Sequence, residues 1–397
     1  MDKRHILGID VGTAAVKVFS GTMADENDII INSIGLMPTR GLDKGVISDC
    51  NALSASIRQA VNCVIAADQI AGINAYLGIG GMGLNSLHCA GSVAPLSPKA
   101  ITSEDIDRVC RSAVLAGVPT GLAALHVLPL CFWVDKERQT VIPIGKKGAC
   151  LEVEVFIVTV PQASLNELIE AVQKTGIHVA GVVANSIVGT QALQAHDGGT
   201  RGIVVDIGAG ITEIALYQEG VIYYSASLPL GGNYITRDIV KALEISEQHA
   251  EGVKRYYSRL DRALRGQAVM LDCNDYGTID KQVSYDFLSN VIESRVEEIV
   301  FFLQEYVKGL KVDHPIDEIL FTGGCSALPS FSIALEKCFG VQVKIKVPDQ
   351  LLAEYAYPSN TACYGIMLHA AHHSARMELE FSTNPWSTFF KKIRKFF

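Results

Sequence analysis

The stretch HILGIDVGTAAVKVF at positions 5–19 returns in altered form as GIVVDIGAGITEIALY at positions 202–217. Each copy reads as an apolar strand, an Asp-x-Gly, a turn of small residues and a second strand of alternating polarity. Asp10 and Asp206 hold the same place in the two copies, 196 positions apart. An internal repeat of this kind predicts two similar lobes that face one another.

Length and composition exclude several classes of protein. The 397 residues are 49% hydrophobic and 19% charged, so the chain can bury two or three cores and is not disordered over most of its length. The formal net charge of −8 argues against a chain-wide nucleic-acid binder, and we expect no nucleic-acid partner. The ten cysteines are scattered without a C-x-x-C pair, which argues against zinc and favours a reducing cytoplasm.

Short β-rich runs alternate with helical stretches, which is typical of α/β layers. Between the repeats, residues 84–160 have a character of their own and are long enough for an inserted subdomain. The uncharged stretches 112–134 and 175–196 are interrupted by Pro, Gly, Asn or Ser, so they are predicted to be buried core rather than membrane spans. The elements predicted from spacing and cap signals are a helix that begins at Thr102, a strand over 151–160, a helix over 163–174 that ends at Gly176, helices over 247–264 and 291–310, and a strand over 319–321.

The two Asp-x-Gly turns are the strongest candidates for chemistry. A strand that ends in Asp-x-Gly and turns into another strand places backbone N–H groups and a carboxylate at one hairpin tip. Gly12, Gly208 and Gly210 would let the main chain approach phosphate oxygens. Asp10 and Asp206 would hold Mg²⁺ through its waters. One such turn is usually an ordinary β-turn, but two in repeated strand contexts favour a site.

Two further patterns are candidates for binding a nucleoside. The segment EILFTGGCSALPS at 318–330 brings a strand to Gly323 and Gly324, which would let an adenine and ribose lie against the main chain, although a glycine turn that ends a buried strand is an equal alternative. Glu251 and Lys254 share one face of a helix at i,i+3 spacing and could bind ribose hydroxyls, although a solvated ion pair is the commoner explanation.

The segments IDVGT, VVDIGAG and LFTGG, in this order and spacing, resemble those of the actin and chaperone ATPase superfamily, and within it the FtsA family of bacterial actin-like cell-division proteins. The resemblance extends over nearly the whole chain and includes segments 41–45, 125–129, 144–155, 230–233, 291–299 and 357–364. It implies an α/β, actin-like ATPase fold with two ribonuclease-H-like lobes around a nucleotide cleft and an FtsA-type inserted subdomain. The implied cofactors are ATP and Mg²⁺, with at most slow ATPase activity.

The resemblance also assigns roles to individual residues. It implies that Asp10, Asn185 and Asp206 take part in catalysis and that Asp10 and Asp206 hold the metal. Asn185 stands where the family often has Gln or Glu, at the position expected to orient the attacking water. The residues implied to surround the nucleotide are Asp10, Gly12, Thr13, Lys17, Asp206, Gly208, Gly210, Gly231, Gly232, Glu251, Lys254, Gly323 and Gly324.

Several positions depart from the family pattern. Ala14 and Ala15 replace a usual Ser-Lys, and Lys17 stands instead at the spacing of actin and of the pilus protein PilM. Ala209 and Ile211 replace a glycine and a threonine, and Cys325 replaces a third glycine. These changes remove a hydroxyl and add bulk near the phosphates, so we expect nucleotide binding without brisk hydrolysis.

The properties of segment 384–397 can be inferred from physical chemistry alone. Asn384 can cap a helix, and Pro385 suits its first turn. An apolar face at helical spacing comprises Trp386, Phe389, Phe390, Ile393, Phe396 and Phe397, and the flanking cations are Lys391, Lys392, Arg394 and Lys395. This pattern predicts an interfacial helix on anionic membrane lipid, with a helix that docks into a partner groove as the alternative.

From these observations we predict two lobes, an inserted subdomain, a linker and a membrane helix. The first lobe comprises 1–83, 161–197 and 346–373, and the inserted FtsA-type subdomain comprises 84–160. The second lobe comprises 198–345 with a smaller subdomain at about 231–285, and it is followed, after the return to the first lobe, by a linker over 374–383 and a membrane helix over 384–397.

Three functions remain open at this point. The leading one is a filament-forming tether that joins the tubulin-like FtsZ ring to the cytoplasmic face of the cell membrane at the division septum, as a peripheral protein that also binds itself head to tail. The second is a PilM-type adaptor of pilus assembly, and the third is a sugar kinase of the same superfold. The basic amphipathic tail favours the first.

Overall fold

A computed structural model gives the fold of the chain. It describes residues 5–23, 29–66, 73–81, 83–97, 100–139, 141–193, 201–272, 282–310 and 315–377. The helix predicted over 384–397 and residues 378–383 of the predicted linker lie outside the described residues. Across the ranges described, no helix combines the length and the apolar character needed to cross a membrane.

The first repeat lies in a five-stranded sheet. Its strands are β1 (His5–Val11), β2 (Ala15–Met23), β3 (Ile29–Pro38), β6 (Asn74–Ile79) and β11 (His178–Ala184), in the order β11-β6-β1-β2-β3, while β4 (Leu42–Asp43) and β5 (Val46–Ile47) form a small separate hairpin. β1, β2 and β3 are antiparallel, whereas β6 runs parallel to β1 and to β11. All of β1 except His5 is buried because helices cover both faces of the sheet.

The side chains of the first sheet alternate between two helical layers. Leu7 and Ile9 pack with the layer of α1 (Cys50–Asn62) and α3 (Gln162–Gln173). Ile6 and Phe19 pack with the opposite layer of α4 (Asn185–Leu193) and α9 (Thr361–Met377). This two-sided burial follows from the period of two along a strand.

The second repeat lies in a sheet of the same topology. Its strands are β12 (Arg201–Ile207), β13 (Thr212–Gln218), β14 (Val221–Leu228), β17 (Glu318–Thr322) and β18 (Val343–Ile345), in the order β14-β13-β12-β17-β18. Its helices are α5 (Asn233–Leu243), α6 (Glu247–Tyr257), α7 (Tyr285–Gly309) and α8 (Pro329–Phe339), and a short hairpin of β15 (Met270–Asp272) and β16 (Gln282–Ser284) precedes α7. As in the first sheet, β13 is antiparallel to both β12 and β14, whereas β17 runs parallel to β12 and to β18.

The repeat extends to the register and to the turns. Asp10 lies opposite Lys17 in the first hairpin, and Asp206 lies opposite Glu213 in the second. The backbone N–H of Gly12 donates to the Ala15 carbonyl, and that of Gly208 donates to the Ile211 carbonyl, so the two tips share one turn geometry. The predicted pair of similar lobes is confirmed.

The inserted segment forms its own sheet with one helix against it. Its strands are β7 (Asn85–Val93), β8 (Leu122–Val134), β9 (Glu137–Gln139) and β10 (Leu151–Pro161), in the order β7-β10-β8-β9, and its helix is α2 (Ser103–Gly117). The predicted start of α2 is confirmed, because Thr102 is the N-cap and exchanges hydrogen bonds with Asp105 in a capping box. The predicted strand over 151–160 is confirmed as β10.

The inserted subdomain also contacts the second lobe. Ser86 Oγ on β7 accepts from the backbone N–H of Ser225 on β14, and His88 Nε2 lies 2.8 Å from the Tyr223 carbonyl oxygen. Behind this contact, Phe156 and Val204 belong to one buried cluster that also includes residues of α4. The two sheets and the inserted subdomain therefore share a core between the lobes.

Four element ends differ from the prediction. α3 ends at Gln173 with Lys174 as its cap, and Gly176 (φ +89°) lies in the turn beyond. α6 stops at Tyr257 because Asp261 caps a separate 3-10 turn, a local hydrogen bond that competes with the helix. α7 begins six residues early because its buried stripe already includes Tyr285 and Leu288. α9 continues to Met377 through the first four residues of the predicted linker, since Ala, Arg and Met are strong helix formers.

Candidate functional site

The first hairpin tip brings a carboxylate, an amide and an ammonium group together. Asp10 is buried at the end of β1, and its Oδ1 accepts a 2.9 Å hydrogen bond from Asn185 Nδ2 at the start of α4. Lys17 Nζ lies 3.5 Å from Asp10 Oδ2 and donates to the carbonyl oxygen of Ser359. The ammonium of Lys17 thus joins the first tip to the segment that opens α9.

The second hairpin tip holds two further acids. Burial raises the pKa of Asp206 to about 6, with Lys17 opposing and Asp10 adding to the shift. Burial, followed by the negative charges of Asp206 and Asp10, raises the pKa of Glu213 well above its usual value. Because the acids raise each other's pKa values, this cluster favours either a bound cation or protonation of one of its carboxyl groups.

The two tips lie against each other across the cleft. A Cβ on Gly210 would come within 2.6 Å of Thr13 Oγ1, so only glycine allows this approach. Within the described part of the chain, Thr13 Oγ1, Asn185 Oδ1 and Glu213 Oε1 are buried without a hydrogen-bond partner. Asn185, Asp206 and Glu213 also line a cavity at the base of the cleft with space for about one water. These polar atoms at the tips form the candidate site.

A third loop closes the site from the second lobe. Gly323 has φ +89°, and a Cβ there would lie 2.2 Å from Asp206 Oδ1, which places the loop directly on the second carboxylate. Thr322 Oγ1 donates to the Pro358 carbonyl at 2.9 Å and is 2.8 Å from Thr361 Oγ1. Gly324 lies beside this contact with no described atom within 4 Å of its Cβ position. The glycine pair therefore has one member packed on Asp206 and one facing open space.

The predicted nucleoside residues lie beside the second tip. The backbone N–H of Gly232 donates to the Gly208 carbonyl at 3.0 Å, and Gly231 packs on the backbone of Ala209. Lys254 Nζ is buried and contacts Gly232 O, Thr236 Oγ1 and Glu251 Oε2. The three N–H donors of Lys254 are thus used within the protein, so Lys254 supports the backbone of Gly231 and Gly232 from behind.

Glu251 is the more accessible member of that helical pair. Burial alone would raise the pKa of Glu251, but the charge and hydrogen bond of Lys254, with hydrogen bonds from Thr236 and Arg255, outweigh it and lower the pKa. Its carboxylate is ionised and partly exposed at neutral pH, so it is an acceptor for hydroxyl groups.

Comparison with known proteins identifies the family. The family described as "Cell division protein FtsA" matches residues 203–365, and "SHS2 domain inserted in FTSA" matches residues 81–159. The cell division protein FtsA of Bacillus subtilis is 30% identical over 355 residues, covering 87% of this chain and 79% of that protein. The chain belongs to the FtsA family. FtsA of Pseudomonas aeruginosa is 29% identical (87% and 83% covered), and FtsA of Escherichia coli K12 is 26% identical (96% and 94% covered).

Solved structures agree with this assignment at the level of the fold. The PilM-PilN type IV pilus biogenesis complex matches with a TM-score of 0.67 at 16% identity, covering 93% of this chain and 99% of that chain. MreB5 of Spiroplasma citri bound to AMPPNP matches with a TM-score of 0.55 at 14% identity, covering 95% and 99%. The fold is therefore the actin-like ATPase fold, here with the FtsA-type inserted subdomain.

The departures from the FtsA pattern have visible consequences. Cys325 Sγ lies 3.3 Å from the Gly208 carbonyl oxygen, and burial raises the pKa of its thiol to about 11, so it is a protonated packing group. Ile211 reaches across to Gly80 and Gly81 of the first lobe, where its methyl groups lie 3.1 Å from the Cβ positions of the two glycines. Both changes add bulk beside the tips.

The donors present fit a hydrated cation with a phosphate chain. Among the described residues, no group of three or more His, Cys, Asp or Glu side chains is arranged to hold a bare metal ion. Mg²⁺ does not need such a cage, because it keeps several waters and takes one or two carboxylates plus phosphate oxygens. Asp10 and Asp206 supply two such carboxylates, and Thr13 Oγ1 at the first tip is a buried hydroxyl oxygen without a hydrogen-bond partner.

Two parts of the site were missed by reasoning from the sequence. Glu213 was not among the candidates, although adding the repeat distance of 196 to Lys17 leads to it. Ser359 and its neighbours lie in the segment 357–364, which carries part of the family resemblance, but no site role was assigned to them.

Proposed function

We propose that this FtsA-family chain is an ATP-binding, actin-like cell-division protein that polymerises on the cytoplasmic membrane and tethers the FtsZ ring to it. The observation that carries the nucleotide part is the meeting of two repeated hairpin tips, each with an aspartate at its base, at one cleft. The AMPPNP-bound MreB5 of the same fold supports it.

Each residue of the site has a role in this proposal. Asp10 and Asp206 would hold Mg²⁺, and Lys17 would bind phosphate oxygens together with the tip N–H groups other than those of Gly12 and Gly208, which donate within the tips. Bound Mg²⁺ would neutralise the phosphate charge and so remove the repulsion from the two carboxylates. Asn185 donates to Asp10 and keeps its Oδ1 free to accept from a water.

The nucleoside is proposed to lie between the two lobes on the glycine pairs. Gly231, Gly232, Gly323 and Gly324 supply backbone surface, Glu251 accepts from the ribose, and Lys254 holds the first pair in place. Because Ile211 and Cys325 fill space that smaller residues leave open in the family, turnover is expected to be slow.

A calorimetric titration tests the nucleotide site. Asp206→Ala should keep the fold, as judged by circular dichroism, and weaken the affinity for Mg-ATP at least about tenfold, because one of two metal-holding carboxylates is lost. The exposed Asp349→Ala is the matched control and should bind as the wild type does. Unchanged affinity of Asp206→Ala would remove these loops from the site.

Membrane attachment and FtsZ binding rest on the family and on the sequence of the tail. Residues 384–397 supply the apolar and basic faces of an interfacial helix, which supports a peripheral protein on the cytoplasmic face at the septum. In a flotation assay with anionic vesicles, FtsZ should rise with the lipid only when the full-length chain is present. FtsZ that stays at the bottom with the full-length chain would refute the tether.

The PilM-type adaptor is the second candidate, and two observations favour it. The PilM-PilN complex has the higher TM-score of the two structures compared, and Lys17 stands at the PilM spacing. A PilN-type peptide that binds in place of FtsZ would support this candidate. A sugar kinase is disfavoured because the cavity beside the third carboxylate, Glu213, has space for about one water rather than a sugar.

A further inference from the structure

The two lobes also contact each other between the β4–β5 hairpin and α5. Lys44, in the turn between β4 and β5, donates from Nζ to the Tyr234 hydroxyl on α5 at 2.9 Å, and the same nitrogen lies 4.9 Å from the centre of the Tyr234 ring. Oδ1 of Asp43, the last residue of β4, lies 3.9 Å from Arg237 Nη2. We call the residues Asp43, Lys44, Tyr234 and Arg237 the clasp.

The contact between Lys44 and Tyr234 dominates the clasp. Asp43 and Arg237 are both exposed and their charges are 3.9 Å apart, so this pair contributes little. Lys44 and Tyr234 are half-buried and combine a charged hydrogen bond with a cation–π contact.

The first-lobe side of the clasp is held in an uncommon backbone conformation. Lys44 has φ +49° between two glycines of positive φ, Gly41 and Gly45. The Gly41 carbonyl accepts from the N–H groups of Ser48 and Asp49, and Asp49 in turn caps α1. Lys44 and Gly45 are the two central residues of the β4–β5 hairpin, and positive φ at both is the geometry of a type I′ turn, which fixes the point at which the Lys44 side chain leaves the backbone.

The second-lobe side of the clasp is bonded to the second hairpin tip. Tyr234 lies in the first turn of α5, and its neighbour Asn233 donates its N–H to the Ala209 carbonyl at 2.8 Å. The Tyr234 ring is also flanked by Arg295, which Asp238 holds through two hydrogen bonds. The helix turn that carries Tyr234 is therefore hydrogen-bonded to the second hairpin tip, three residues after Asp206.

We infer that the clasp sets the separation of the two lobes. Lys44 and Tyr234 are positioning residues that act on the hairpin tips. Through the tips they govern how fast a nucleotide leaves the cleft. The part about nucleotide release rests on the proposed function, whereas the part about lobe separation does not. Gly45 lies 3.1 Å from the Cβ position of Gly81, against which Ile211 also packs, so the clasp turn adjoins the tips directly.

Hydrogen–deuterium exchange of the full-length protein without nucleotide tests the separation of the lobes. Lys44→Ala and Tyr234→Leu should each raise exchange in peptides that contain residues 10–15 and 208–213, about threefold or more, because the tips open together. The double variant should exchange no faster than either single variant, since both break one contact. Lys44→Arg should restore protection by keeping a cation over the ring.

Lys241→Ala is the matched control, because Lys241 is an exposed lysine of the same helix α5 and its removal changes the charge equally. Exchange at the tips that is equal in Lys44→Ala and Lys241→Ala would overturn the inference. Tyr234→Phe, which keeps the ring and removes the hydroxyl, should give a smaller increase and serves if Tyr234→Leu does not fold.

The second measurement is the release of a fluorescent ATP analogue with Mg²⁺ by stopped flow. Lys44→Ala should release the analogue about five times faster or more than the Lys241→Ala control, with less change in association. Faster exchange at the tips with an unchanged release rate would overturn the part about release. If the wild-type chain binds no analogue at all, the proposed function fails, while the exchange experiment still decides whether the clasp holds the lobes.

Discussion

At the scale of the residue, the site concentrates negative charge that the folded chain alone disfavours. Asp10, Asp206 and Glu213 come from two lobes and meet at one cleft, with Lys17 as the compensating cation. Buried acids with raised pKa values are a cost to folding that a bound cation can offset. Removing an acid from the candidate site should therefore stabilise the folded chain and weaken its binding of a cation.

This opposition predicts the effect of Asp206→Asn. Because the pKa of Asp206 is raised from 3.8 to about 6, the contribution of this group to stability is present at low pH and is lost as pH rises through about 6. Without nucleotide or Mg²⁺, Asp206→Asn should raise the free energy of unfolding at pH 7.5 by up to about 3 kcal/mol. The gain should shrink towards pH 4, where the wild-type carboxyl is protonated.

Denaturant unfolding at the two pH values measures this effect. The exposed Asp349→Asn serves as the control and should show no such pH-dependent gain. The same Asp206→Asn variant should lose affinity for Mg-ATP, so that stability rises while binding falls. A variant that is less stable than the wild type at pH 7.5 would contradict this account of the charge cluster.

The sequence predicts the aspartates and glycines of the tips but not Glu213. A glutamate on a strand of alternating polarity is ordinarily solvent-facing, and its burial here depends on Gly80 of the other lobe, 133 positions earlier in the chain. Lys254 shows the same limit, because i,i+3 spacing with Glu251 does not reveal that its ammonium is buried against Gly232. Contacts between distant segments decide both cases.

At the scale of the element, local signals predict where helices begin better than where they end. The capping box of Thr102 and Asp105 is contained in four consecutive residues, so the start of α2 is readable from the sequence. The end of α6 depends on a competing turn at Asp261, and the start of α7 depends on which side chains the second lobe buries. Tertiary packing settles these ends.

The capping box yields a prediction for α2. Thr102→Ala removes the hydroxyl that accepts from the Asp105 N–H, and such a loss costs about 1 kcal/mol. We expect faster hydrogen exchange in a peptide over 100–115, confined to the inserted subdomain. Ser103→Ala, at the next exposed position and outside the box, is the control; equal effects of the two variants would show that the box does not stabilise the helix.

At the scale of the whole molecule, the topology follows from the repeat. Two hairpins of one design, each extended by two parallel strands, give two sheets of matching order whose tips meet. The inserted subdomain breaks this symmetry and contacts β14 through Ser86 and His88, so it bridges the lobes. The sequence predicts the lobes and the insertion, whereas this bridge is seen only in the structure.

The distribution of charge separates the tail from the rest of the chain. Lys391, Lys392, Arg394 and Lys395 give the last seven residues a charge of +4, and residues 1–390 carry the balance of about −12. An acidic body is repelled by an anionic membrane, so attachment through the tail must overcome that repulsion. Each basic residue near an anionic surface contributes at most about 1 kcal/mol, so in the proposed attachment the apolar side chains of the tail would supply much of the affinity.

This balance predicts how the tail responds to deletion, lipid and salt. Deleting residues 384–397 should release the protein from anionic vesicles and leave nucleotide binding unchanged. High salt should weaken attachment only in part, because it screens the four cations but not burial of the apolar side chains. Substituting the four cations by Gln should abolish the preference for anionic over neutral vesicles, whereas Phe389→Ala with Phe390→Ala should weaken binding to both.

A single short helix of the kind predicted for residues 384–397 would attach reversibly, so stable residence on a membrane would require many tails acting together. The proposed head-to-tail assembly would supply that multiplicity, because an actin-like fold with a heterologous contact extends without closing. Attachment measured by vesicle sedimentation should therefore rise more steeply than linearly with protein concentration when ATP is present. A strictly linear rise, or full vesicle binding by the chain that lacks residues 384–397, would show that the tails do not act together as the membrane anchor.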